Sequence, residues 1–169
     1  MSAQTQASTQ PNLGMQVTTF ENPMGINGFE FVEFAAPADR AESMRTYLQQ
    51  LGFTAVARHR SRAITLFRQG TINFLLNEEP GSFAADFAAK HGPSACGFAI
   101  RFRKKPAEVL GHALASGGEK ADHKVETGAV DFPAIKGIGD CMLYLIDDSV
   151  SDVYADYEPL PGVDQHPAG

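Results

Sequence analysis

HGPSACGFAIRF, residues 91–102, closes a helical pattern and opens a strand. Upstream, Ser82 stands where a helix N-cap would, and Phe83 and Phe87 are spaced to share one face of SFAADFAAKH. Gly92-Pro93 stops that helix, with His91 in its last turn where positive charge suits the carbonyl end. Beyond it Phe98, Ile100 and Phe102 alternate as in a strand. Its opening Gly97-Phe98 repeats the Gly28-Phe29 that opens GFEFVEF (28–34), an offset of 97 − 28 = 69 residues. The stretch therefore reads as the seam between two copies of one unit.

The surrounding patterns fill in both copies. GFEFVEF alternates, with Phe29 and Phe31 expected on one face and Glu30, Val32 and Phe34 on the other. An Asp39-x-x-Glu42 start then introduces a helix with Met44, Tyr47, Leu48 and Leu51 as its apolar stripe and Gly52 as its stop. Three short strands are expected in TAVARHR (54–60), AITLFRQ (63–69) and TINFLLN (71–77). After the seam, Pro106 opens a helix expected to bury Val109, Leu110, Ala113 and Leu114 before Gly117-Gly118. Strand patterns follow at HKVETGAV (123–130), DCMLYLI (140–146) and VYADYEP (153–159). The fold class is thus α+β, built from paired βαβββ modules, about 27–80 and 94–160, whose sheets complete one another. Residues 1–20, rich in Gln, Ser and Thr, read as a solvated tail ahead of a domain over 21–161.

Composition sets outer bounds. A chain of 169 residues with 43% hydrophobic content can bury a core without a disulfide or structural metal. A net charge of −6 argues against nucleic acid as the main partner, and RHRSR (58–62) reads as a solvated turn. No apolar run reaches the ~20 residues of a membrane span. The two cysteines, Cys96 and Cys141, lie in apolar runs and favour a reducing cytoplasm.

Few residues present themselves as chemistry. Ser94 and His91 flank Pro93 without a third group or a nucleophile elbow. GIGD (137–140) lacks the spacing of a phosphate loop. Asn73 and Asn77 alternate against Ile72, Phe74 and Leu76, which fits a solvated sheet face better than a polar cup.

Longer blocks carry a resemblance. ENPMGINGFEFVEFA (21–35), LGFTAVARHRSRAITLFRQGTINFLLNEEPGS (51–82), AAKHGPSACGFAIR (88–101), FPAIKGIG (132–139), LYLID (143–147) and GVDQHPAG (162–169) run in order through nearly everything after residue 20. They resemble the N-terminal half of the bacterial 4-hydroxyphenylpyruvate dioxygenase family. The resemblance implies a vicinal oxygen chelate (glyoxalase/bleomycin resistance/dioxygenase) fold. It also implies membership of a non-haem iron(II) enzyme that converts 4-hydroxyphenylpyruvate and O2 to homogentisate and CO2 in tyrosine catabolism. In that family the iron's two-histidine, one-carboxylate triad lies in the C-terminal half. No catalytic, cofactor-binding or metal residue therefore carries over, and residues 162–169 correspond to the linker toward that half. Iron(II) and the aromatic 2-oxo acid are expected in the full enzyme and not in this chain.

A metal of this half's own would start from Glu30, with partners near Cys96 or Gly97 and near Leu145, of which glycine and leucine cannot ligate. His59, His112, His123 and His166 do not complete the set. The expected partners are the C-terminal catalytic domain or a second copy of the chain. Two other functions compete: a free-standing binding module for a small aromatic molecule, and a glyoxalase-like metalloenzyme. The related 4-hydroxymandelate synthase is not separated from the dioxygenase, since that choice rests on the other half.

Overall fold

The computed structural model describes residues 21–121, 132–150 and 152–168. In chain order the elements are β1 (Ile26–Ala35), α1 (Ala38–Gln50), β2 (Thr54–His59), β3 (Ile64–Gln69), β4 (Ile72–Asn77) and α2 (Phe83–His91). Then follow β5 (Ser94–Phe102), α3 (Pro106–Ala115), β6 (Ala134–Lys136), β7 (Met142–Asp147) and β8 (Tyr157–Pro159). The strands form one sheet in the order β6-β7-β5-β1-β4-β3-β2-β8.

The repeat is visible in the pairing. β1 runs parallel to β4, which is antiparallel to β3. β5 likewise runs parallel to β7, which is antiparallel to β6. The two opening strands meet antiparallel at the centre, with Val32 opposite Phe98 and Glu33 opposite Gly97. Each half thereby covers the edge that the other's opening strand would leave unpaired. The expected strand at 123–130 lies outside the described residues.

Alternation assigns the faces. Phe34, Phe67, Phe74 and Leu76 pack with Ala41 and Leu48 of α1 on one face, and Phe102 and Leu145 pack with Val109 of α3 on the same face. Their neighbours Leu66, Leu75, Ala99 and Ile146 point to the other, concave face. Leu48, Phe67, Leu76 and Leu145 are almost fully buried, and each contributes about 1.5–3 kcal/mol by burial.

The local signals hold at the seam. Ser82 caps α2, its Oγ accepting from Ala85 N at 3.1 Å, and Gly92 ends it with a φ of 75°. Pro106 opens α3 as expected.

Five expectations change. Helix α1 begins at Ala38 behind Pro37, without a side-chain cap, so Asp39 sits in the first turn and not at the cap. Leu48 is buried, but Tyr47 and Leu51 from the same stripe are exposed; on α3, Leu114 is exposed while Val109 and Ala113 are buried. The register of β1 slips against β5 between Phe29 and Phe31. That bulge carries Glu30 to the concave side with Phe31, leaving Phe29 on the outside. Cys141 precedes its strand, following a short 3-10 turn at Ile138–Asp140. Finally, β8 pairs antiparallel with β2, so the segment counted with the second module lies against the first.

Candidate functional site

The concave face is where a fold of this shape would hold a ligand, and its polar groups come from the central strands. Glu33 on β1 is buried. It accepts from the Tyr144 hydroxyl of β7 at 2.9 Å and from Asn77 Nδ2 of β4 at 2.7 Å. Gly97, opposite on β5, makes room for this group. A Cβ there would lie 2.8 Å from Tyr144 Cε2 and 2.9 Å from Glu33 Oε2.

One turn of the pleat away, Glu30 forms an ion pair with Arg101 of β5, and both side chains are mostly buried. Arg101 Nη1 also donates to the Asp147 carbonyl. The Glu30 carbonyl accepts from Asn73 Nδ2 and from the Tyr154 hydroxyl. Arg68 completes the row, donating to Asn73 Oδ1 at 2.7 Å and lying over the Tyr154 ring.

Above these groups the cup is filled by the chain itself. Val153 is buried in the concave core, and Phe132, Val150, Tyr154, Tyr157 and Val163 pack against it. Backbone and side-chain bonds fasten this cover to the first module. Leu160 N donates to Val56 O, Gln165 Nε2 to Val56 O, Arg68 Nη1 to Gln165 O, and Gly70 N to Pro167 O.

The electrostatics follow from that enclosure. Burial raises the Tyr144, Tyr154 and Tyr157 phenols above their usual value, reinforced by the Glu33 carboxylate for Tyr144 and Tyr157 and by Glu30 for Tyr154. Burial raises the Cys96 thiol, with Glu33 adding to it, so Cys96 is an inert apolar group packed beside Ala35 and Phe87. Burial and Arg62 lower His59, which stands edge-on to Tyr157.

The structure separates most of the sequence candidates. Ser94 Oγ donates to the Gly92 carbonyl, while His91 Nε2 faces Asp140 Oδ2 at 3.3 Å, so the two do not pair. His112 and His166 are exposed, and His123 lies outside the described residues. Leu145 faces α3, away from the cup. Asn73 and Asn77 are not on a solvated face: both line the cup and are hydrogen-bonded there. Among the described residues, no three His, Cys, Asp or Glu side chains gather as a metal site would need. Glu30 is held by Arg101 and Glu33 by Tyr144 and Asn77, so among the described residues these donors do not form an iron site.

Sequence reasoning passed over Glu33, Arg101, Tyr144 and Tyr154. A charged Arg101 inside the apolar GFAIRF was the available sign, since a buried arginine requires a carboxylate partner.

Comparison with known proteins places this geometry. Residues 20–158 match a family profile described as hydroxyphenylpyruvate dioxygenase, HPPD, N-terminal. The chain is 46% identical over 157 residues to a 4-hydroxyphenylpyruvate dioxygenase of Pseudomonas sp. (strain P.J. 874), a match that covers 89% of this chain and 42% of that protein. Among solved structures, a xylose isomerase-like TIM barrel/4-hydroxyphenylpyruvate dioxygenase fusion protein superposes with a TM-score of 0.72 at 32% identity, over 87% of this chain and 24% of that one. A mutant 4-hydroxymandelate synthase from Streptomyces coelicolor shares the fold, with a TM-score of 0.64 at 18% identity, over 85% of this chain and 43% of that one.

Proposed function

Because this chain belongs to the family of hydroxyphenylpyruvate dioxygenase N-terminal domains, with the vicinal oxygen chelate fold, we propose that it is the non-catalytic half of such an enzyme. Its task is to carry and support a second half that holds iron(II) and converts 4-hydroxyphenylpyruvate to homogentisate, a step of tyrosine breakdown. The chain spans about two-fifths of the length of the Pseudomonas relative, which leaves room for that half. The observation that carries this reading is the filled cup: Val153, Tyr154 and Tyr157 occupy the space a substrate would need. Both cup carboxylates are already satisfied within the chain. The same filling weighs against a free-standing binding module, which requires an accessible cup.

A cytoplasmic setting fits the free thiols Cys96 and Cys141. The test is oxygen uptake with iron(II) and 4-hydroxyphenylpyruvate. This chain alone should show none, while a protein joining it to the C-terminal half of the Pseudomonas relative should turn over. Turnover by the chain alone would overturn the assignment.

A further inference from the structure

We propose that an apolar cluster at one end of the sheet, formed by Ile26, Phe29, Leu51 and Ile72, is the seat of the catalytic half; this rests on the function proposed above. These side chains are 46%, 71%, 49% and 51% exposed. The first two open β1, Leu51 closes α1 and Ile72 opens β4.

Hydrogen bonds tie the segments of Leu51, Ile72 and Phe29 together, and Ile26 stands three residues before Phe29 on β1. Gln69 Nε2 donates to Leu51 O, which joins the end of α1 to the β3–β4 turn. Asn73 Nδ2 donates to Glu30 O, which joins the start of β4 to β1 beside Phe29. The bulge described above turns Phe29 outward, opposite Ile100 and away from the cup. A rigid bulge that aims a phenyl ring into water has no benefit to the isolated domain, and clustered exposed apolar side chains mark a docking surface.

The occupant follows from the course of the chain. Gly70 N holds Pro167 O at 2.8 Å, two residues before Ile72 on the same turn. Arg68 and Val56 hold Gln165 just before it. Whatever follows residue 168 in the longer relatives therefore starts beside this cluster, and a domain joined by so short a lead packs there at high effective concentration. Ile138, 96% exposed, sits beyond the far end of β7 beside α2 and serves as the control.

The experiment uses hydrogen exchange on this chain alone and on the same chain joined to the C-terminal half of the Pseudomonas relative. Amides in 26–30, 51–53 and 69–73 should exchange about tenfold or more slowly in the joined protein, while those around 138 should not change. Protection elsewhere, or none, overturns the proposal. Because the readout is protection, a joined protein that folds but fails to turn over refutes the functional reading and leaves the docking test intact. As a second measurement, Phe29→Asp in the chain alone should leave its melting temperature unchanged. A large fall would show that Phe29 belongs to the core and would overturn the proposal. Sedimentation that finds the chain dimeric, and monomeric as Phe29→Asp, would overturn it in favour of a second copy.

Discussion

Replacing Gly97 by alanine puts one methyl group into the tightest place in the cup. Its Cβ would stand 2.8 Å from Tyr144 Cε2 and 2.9 Å from Glu33 Oε2, closer than real Cβ contacts allow. Neither neighbour can yield cheaply. Tyr144 is anchored by its hydroxyl on Glu33, and Glu33 is held again by Asn77. Overpacking of this kind costs about 1–3 kcal/mol. A buried carboxyl that loses a partner adds about 1–3 kcal/mol. The expected loss is about 2–6 kcal/mol, or roughly 10 °C in melting temperature for a domain of this size. Gly111→Ala is the matched control, since Gly111 lies exposed within α3 with nothing within 4 Å of an added Cβ. There the same substitution should stabilise by about 1 kcal/mol through helix propensity. Urea unfolding of both variants should therefore move the midpoint in opposite directions at constant slope. An unchanged midpoint for Gly97→Ala would refute the claim that the Glu33–Tyr144 pair is rigidly seated.

Alkaline pH should unfold the protein early. The folded phenols of Tyr144, Tyr154 and Tyr157 are raised, so an unfolded chain loses their protons near pH 10 while the fold keeps them. Stability is then full below about pH 10 and falls above it by about 1.4 kcal/mol per pH unit per phenol, about 4 for the three; urea midpoints that stay flat from pH 9.5 to 10.5 would contradict their burial. Arg101→Met leaves Glu30 buried without its cation and should cost about 3 kcal/mol, whereas Glu30→Leu with Arg101→Met should recover most of that in the same assay. Ser82→Ala removes the α2 cap and should cost about 1 kcal/mol by thermal unfolding.

What could be read in advance was whatever a short window of sequence controls. Ser82, Gly92-Pro93 and Pro106 act on the backbone within three or four residues, so the ends of α2 and α3 were legible. The repeat was legible because both units open on the same Gly-Phe strand start and then run strand, helix and further strands in the same chain order. The bulge at Glu30 was not, because it arises from pairing with β5 about seventy residues later, and one slipped residue reverses a face assignment. The stripe of α1 overstated its burial, since periodicity records which side is apolar and not what covers it; Tyr47 and Leu51 lie beyond the reach of Phe53 and Phe67. The cup's contents were hidden for a similar reason. Tyr154 and Tyr157 come from a segment with weak local pattern, and only the tertiary path of residues 150–168 brings them over Glu30 and Glu33.

The pairing of β8 with β2 also has a consequence in time. Arg58 finds Glu158 across a gap of one hundred residues, and Leu160 closes on Val56 beside it. At synthesis rates of about 5–20 residues per second, β2 waits roughly 5–20 s with an open edge. During that interval the first module can form its own strands but cannot seal its concave side, and an unpaired strand edge is where nascent chains aggregate. That side is sealed only once residues 157–160 have emerged, so the first module stays incomplete until late in the synthesis of its own domain.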